Sequence, residues 1–168
     1  MLLTLVLIAL SLAGCSATPA AIRAPAPDTT GIAEGHCAPT APPPSRQTGS
    51  GVLVPIAAHE MVLCRYNGMN EPPYRKLRTA RVVTDRATVD RWRARFNAIP
   101  VPSPGPRSCP MDDNRLLRIA FVASPSSYVV LTTKLTGCGF VSGTAGIREA
   151  GGASDTTFRA DLAQLAGG

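Results

Sequence analysis

The side chains able to do chemistry in this chain are few. It has two histidines, His36 and His59, and an acid/base or nucleophilic site needs such a group held against a hydroxyl, thiol or carboxylate. His36 precedes Cys37, a neighbourhood that suits a metal ion or a thiol activated by imidazole. A disulfide-bonded cysteine has no thiolate to offer, so both histidines are read as structural or solvated. Gly139-Phe140-Val141-Ser142-Gly143 holds its serine one place too late for the nucleophile elbow G-x-S-x-G, which leaves acyl transfer unsupported. Gly137-Cys138-Gly139 has the glycines of a phosphate loop, but that motif needs a following helix whose free amides face the anion, and strand-like sequence follows instead. Asp112-Asp113-Asn114 offers oxygens to calcium without the alternating spacing and distal glutamate of a calcium loop, and reads as a turn ahead of a strand. No catalytic set, metal site or cofactor is expected.

The most specific signal lies elsewhere, in Leu12-Ala13-Gly14-Cys15, which closes an apolar run from Leu2 to Leu12. The run has the length of a signal peptide's apolar region and falls short of the roughly 20 residues that cross a bilayer as a helix. These four residues resemble the lipobox of a bacterial lipoprotein. The resemblance implies cleavage before Cys15, a diacylglyceryl group on its sulfur and acylation, by palmitate or a similar chain, of the new amino terminus. Two or more acyl chains anchor stably where a single one is marginal. No Lys or Arg precedes the run, so the natural start is expected upstream of Met1. Residues 1–14 are then a signal peptide. The remainder belongs on the outer face of the bacterial cell membrane, with membrane lipid as its partner through Cys15.

Setting Cys15 aside leaves Cys37, Cys64, Cys109 and Cys138, an even set that an exported chain joins as two disulfides. None belongs to a C-x-x-C pair, so a four-thiolate metal site lacks its ligand spacing. Residues 15–50 are rich in Ala, Pro, Thr, Ser and Gly, with Pro42-Pro43-Pro44 towards the end. Such a stretch buries too little to offset its ordering entropy, so it is expected to be a tether, disordered from Ser16 to about Gly35 and fastened later by Cys37. Lys and Arg number 17 against 11 Asp and Glu, a formal net charge of +6. In an exported protein that balance suits anionic headgroups, wall polymers or an acidic envelope partner rather than nucleic acid.

The elements that must position these residues are expected over 51–168, as one domain. Met61 to Tyr66 and Lys76 to Thr84 read as strands, separated by a long loop marked by Asn67-Gly68 and Pro72-Pro73. Val89, Trp92 and Phe96 fall on one stripe of a helix that starts near Thr84 or Asp85 and stops before Pro100. Its arginines, Arg86, Arg91, Arg93 and Arg95, are spread around it and interrupted by Asp90, a solvated pattern rather than a phosphate-reading one. Leu117, Ile119 and Phe121, then Val129, Leu131, Thr133 and Leu135, alternate on either side of Ser124-Pro125-Ser126-Ser127 and predict a hairpin. Cys109 and Cys138 lie at similar distances from that turn, at the open end of the hairpin, where Cα atoms approach the roughly 5.5 Å of a disulfide. This predicts Cys109 with Cys138, leaving Cys37 with Cys64. Phe140-Val141 and Ile147 to Glu149 extend the sheet. Phe158, Leu162 and Leu165 form a short C-terminal helix, with Ser154 as its N-cap. The predicted class is α+β: an antiparallel sheet of four or five strands packed on one main helix, a short C-terminal helix and two disulfides.

Two wider resemblances rest on these residues. Val62-Leu63-Cys64-Arg65-Tyr66, Phe96-Asn97-Ala98-Ile99-Pro100, Cys109-Pro110-Met111-Asp112 and Gly137-Cys138 together resemble a group of secreted lipoproteins and exported proteins of actinobacteria, over most of residues 37–143. That likeness implies a location and a fold rather than an activity. Cys109 to Cys138 alone resembles the corresponding part of the subtilisin inhibitor-like family, in which a bridged cysteine followed by proline and methionine begins an exposed protease-binding loop. This implies that Met111 enters a protease specificity pocket with the Met111–Asp112 bond facing the nucleophile, the bridge limiting the entropy lost on binding. The chain departs from that family in the charge of Asp112, in Asp113-Asn114 running straight into a strand, and in the spacing of the second bridge. The expected function is a lipid-anchored, non-catalytic binding module at the cell envelope, with an envelope protein or wall polymer as its partner. A subtilisin-type protease inhibitor and a cryptic enzyme are the alternatives.

Expressed in a bacterium that processes lipoproteins, the native chain should fractionate with membranes and Cys15→Ser should move it to the soluble fraction. Equal membrane retention of both would remove the anchor.

Overall fold

The computed structural model describes residues 31–43, 49–106, 108–109, 111–150 and 157–167. The expectations for the signal peptide, Cys15, most of the tether, Pro44, Pro110 and Ser154 lie outside them. Among the described residues no helix is long and apolar enough to cross a membrane.

Six strands form one antiparallel sheet. They are β1 (Glu60–Tyr66), β2 (Leu77–Val83), β3 (Leu116–Ser124), β4 (Ser127–Lys134), β5 (Phe140–Gly143) and β6 (Gly146–Glu149), in the spatial order β2-β1-β3-β4-β5-β6. Two helices follow the predicted stripes, α1 (Arg86–Asn97) and α2 (Phe158–Leu165). The class is α+β as expected, with six strands in place of four or five. The excess lies in β5 and β6, which have four residues each and a tight turn at Thr144-Ala145, too short to carry a clear period of two. β2 is an edge strand, and its exposed Arg78 and Arg81 are charges of the kind that discourage pairing with another chain.

The helices cover one face of the sheet. Met61 and Leu63 of β1, Leu117, Ile119 and Phe121 of β3 and Leu131 of β4 pack there against Val89, Trp92 and Phe96 of α1 and against Phe158 and Leu162 of α2. Phe96 is the hub. Its ring meets Phe121 and Phe158 edge-on, with centroids 5.6 and 5.1 Å away, an arrangement that aligns a ring's positive edge with a negative face. Arg95 clamps the two helices, its guanidinium 4.5 Å from the Trp92 ring centre and 2.9 Å from the Asp161 carboxylate. Of the two candidate caps, Asp85 starts α1 by accepting from the Thr88 amide at 2.9 Å. Asn97 then pins the preceding loop, accepting from the Val54 amide at 2.8 Å and donating to its carbonyl at 3.0 Å.

The opposite face is covered in part, by residues 31–43. A turn of 3-10 helix, Ile32–Glu34, buries Ile32, and Ala41 is buried further along. Both belong to the apolar layer that includes Val62, Cys64, Tyr66, Ala120 and Val122. The Cys37–Cys64 disulfide fixes this segment to the middle of β1, with its Cα atoms 5.6 Å apart. Leu77 also donates its amide to the Pro39 carbonyl at 3.0 Å. Among the described residues, then, Ile32 and Ala41 already pack against the sheet ahead of Gly51. Val62, Cys64 and Tyr66 of β1 and Ala120 and Val122 of β3 are apolar on this face and require a cover, to which this segment contributes Ile32 and Ala41.

Phe96→Ala should destabilise the fold by about 3–5 kcal/mol, the cost of emptying a large aromatic site that the surroundings cannot close. Urea denaturation measures it. A loss under 1 kcal/mol would mean that α1 is not the seat of the core.

Candidate functional site

The N-terminal segment covers β1 and part of β3, and among the described residues the same face lies open beside it towards β4, β5 and β6. There a cleft of about 340 Å³ is cut into the surface. Its floor follows from sheet register. Tyr66 of β1 pairs with Leu116 of β3, which pairs with Lys134 of β4, while Thr132 of β4 pairs with Ser142 of β5, which pairs with Ile147 of β6. Ala41 and Pro42 form one wall, and Asn67, Tyr74 and Arg75 of the β1–β2 loop form another. Phe140 and Asn114 complete the lining named here. The volume lies within the usual range for small-molecule sites, about 300–1,000 Å³, and the lining has the usual makeup of apolar walls with a few polar groups.

Two of the cleft's residues have left-handed backbones that non-glycine residues seldom adopt, Arg75 at φ 61° and Asn114 at φ 60°. Long-range bonds hold Arg75, and a local turn holds Asn114. The Arg75 amide donates to Asn67 O at 3.2 Å, its carbonyl accepts from the Ala41 amide at 2.9 Å, and its Nη2 donates to the carbonyls of Ala41 and Pro42 at 2.8 and 3.2 Å. Asn114 donates its amide to Asp112 Oδ1 at 2.9 Å. Such conformations cost roughly 1–3 kcal/mol each and persist where the surroundings over-determine them.

Asp112-Asp113-Asn114 forms a turn ahead of β3, as its sequence suggests. Asp112 accepts from Lys134 Nζ at 2.5 Å. Asp113 is buried and accepts from the Thr136 hydroxyl at 2.6 Å, from the Arg115 amide at 3.1 Å and from Arg115 Nε at 2.6 Å. Burial pushes its pKa up, but these hydrogen bonds and the Arg115 charge outweigh burial and hold the carboxyl below its ordinary 3.8. Its oxygens are engaged by donors, and among the described residues no cluster of three or more His, Cys, Asp or Glu is placed to hold a metal.

Cys109 and Cys138 form the predicted second bridge, with Cα atoms 4.9 Å apart. The glycines around Cys138 serve packing. Gly139 has φ 64°, and a Cβ there would stand 2.5 Å from the Ala150 carbonyl oxygen. The Gly137 carbonyl accepts from Arg159 of α2 at 2.7 Å. Met111 stands out from the bridge, 91% exposed, with φ 56°. That left-handed backbone differs from the extended conformation in which a bound peptide adds to a sheet edge. His36 and His59 are exposed, one in the N-terminal segment and the other at the entrance to β1. Neither side chain has a hydrogen-bond or ion-pair partner among the described residues. Ser142 lies within a strand, its hydroxyl donating to Thr132 O at 3.3 Å.

The cleft was not read from the sequence. Its traces are Val130, Thr132 and Lys134, the β4 positions between the apolar ones, which mix apolar and polar types as a half-open face does. Comparison with protein-family models, curated proteins and solved structures found no match.

Because the Asp113 pKa is lower folded than unfolded, its stabilisation is complete above the unfolded value near 3.8 and fades as pH falls through the lower folded value. Asp113→Asn should therefore be less stable than the native chain at pH 7, by about 1.5–3 kcal/mol. The gap should narrow below pH 4. Urea midpoints from pH 7 to 2 test this, and a gap independent of pH would contradict it.

Proposed function

We propose that this chain is a lipid-anchored, extracytoplasmic binding module of the bacterial cell envelope and that the cleft beside Arg75 is its binding site. The cleft carries the reading. It joins an apolar floor to a few directed polar groups, and two residues with left-handed backbones line it, Arg75 being held by long-range contacts, a pattern that accumulates where a ligand is gripped. The location rests on other features. The lipobox-like residues ending in Cys15 supply the anchor, residues 16–30 a tether, and the two disulfides suit an oxidising compartment. The likeness to actinobacterial secreted lipoproteins agrees with that location, and the net charge of +6 favours an anionic surface.

Protease inhibition at Met111–Asp112 is the second reading. The exposure of Met111 beside the Cys109 bridge favours it, and the left-handed Met111 backbone weighs against it.

The test is to fill the floor. Nile red, an uncharged apolar fluorophore, should bind the full chain carrying Cys15→Ser at one site. Adding Ser142→Trp should weaken that binding at least tenfold while thermal unfolding stays within a few degrees. Unchanged dye binding in a folded Ser142→Trp protein would overturn the assignment of the site.

A further inference from the structure

The cleft carries a charge that its own walls do not neutralise. Among its described lining residues the charged ones are Arg75 and Lys134, and no carboxylate is among them. Lys134 is already paired, 2.5 Å from Asp112. Arg75 is different. Only its Nη2 is engaged, by the carbonyls of Ala41 and Pro42, and its Nε and Nη1 have no partner among the described residues. Carbonyl oxygens satisfy donors without cancelling charge, and a guanidinium offers five N–H groups in a planar fork that fits a carboxylate or phosphate with two parallel bonds. The fork is also held in place, since the Arg75 backbone is fixed at φ 61° through Asn67 and Ala41.

The rest of the cleft calls for hydrocarbon. Leu116, Phe140 and Ile147 offer apolar surface in one cleft, and burying methylenes against it is favourable. Residues 31–43 lie on the cleft's own face, so the tether joins the domain on that side. In a lipid-anchored protein this brings the cleft's face to the side from which the anchor departs.

The geometry points to a single-chain anionic amphiphile as the ligand, its acid head on the free edge of Arg75 and its acyl chain along Leu116, Phe140 and Ile147. This rests on the reading of the cleft as a binding site and adds the class of ligand. An acid head on one acyl chain is shared by free fatty acids and lysophospholipids.

The experiment is calorimetric titration of the full chain carrying Cys15→Ser with dodecanoate, dodecyl phosphate and dodecanol, each below its aggregation threshold. At least one acid should bind about tenfold or more tighter than dodecanol, as expected of a charge-assisted pair. A preference for dodecanoate identifies the fatty-acid source and a preference for dodecyl phosphate the lysophospholipid source. Arg75→Gln should bring the acids down to the affinity of dodecanol and leave dodecanol unmoved. If that variant does not fold, salt decides with the Cys15→Ser chain alone: added NaCl should weaken the acids and spare dodecanol. Equal affinity for acids and alcohol overturns the ligand class and leaves the cleft as an apolar site. Loss of all three ligands in a folded Arg75→Gln protein also overturns it, because Arg75 would then be holding the wall and not the head. Failure of all three, together with failure of Nile red, removes the binding site itself.

Discussion

β1 is paired on both edges and covered on both faces, and that enclosure demands two separate layers. On one side α1 and α2 cover Met61 and Leu63. On the other, residues 31–43 cover Val62, Cys64 and Tyr66. The second layer is thin, with few large apolar side chains, and its own burial would hold it weakly. The Cys37–Cys64 disulfide supplies what burial does not, closing a loop whose constraint is worth about 3–4 kcal/mol in the chain-entropy model. The cleft follows from this arrangement, because Ala41 and Pro42, at the margin of the described part of this layer, become a wall.

Much of this architecture was legible in the sequence. The hairpin of β3 and β4 and the α1 stripe have strong periods, and the position of Cys109 and Cys138 about the hairpin turn led to both disulfide pairings. Other parts were not legible, for identifiable reasons. β5 and β6 are too short to display a period, so Phe140-Val141 and Ile147 to Glu149 were readable as sheet extensions but not as a full count of six strands. Residues 31–43 have the composition of a linker, and their order comes from a bridge to a strand far along the chain. The continuous apolar run of β1 was the available clue that a second cover existed, since a strand buried on one face alternates and this one does not.

The candidate site was less legible than the fold. Arg75 looks like an ordinary loop arginine until Asn67, from the start of its own loop, and Ala41 and Pro42, from the N-terminal segment, are brought around it. The residues that did stand out, His36, His59, Gly137 and Asp113, turn out to be exposed or to serve turns and packing. Residue type drew attention to them, whereas burial and partners are set by the fold.

The position of Cys37 within the N-terminal segment has a mechanical consequence. A pull along residues 16–30, such as thermal motion of an anchored chain would deliver, can peel away Ile32 and its turn, because only burial and a few hydrogen bonds retain them. At Cys37 the load passes through a covalent bond into β1, the strand with neighbours on every side. Ala41 and Pro42 lie beyond that point. Tension arriving from the N-terminal side is therefore diverted into the centre of the sheet before it reaches the cleft wall, so in the proposed anchored form the candidate site is insulated from the membrane.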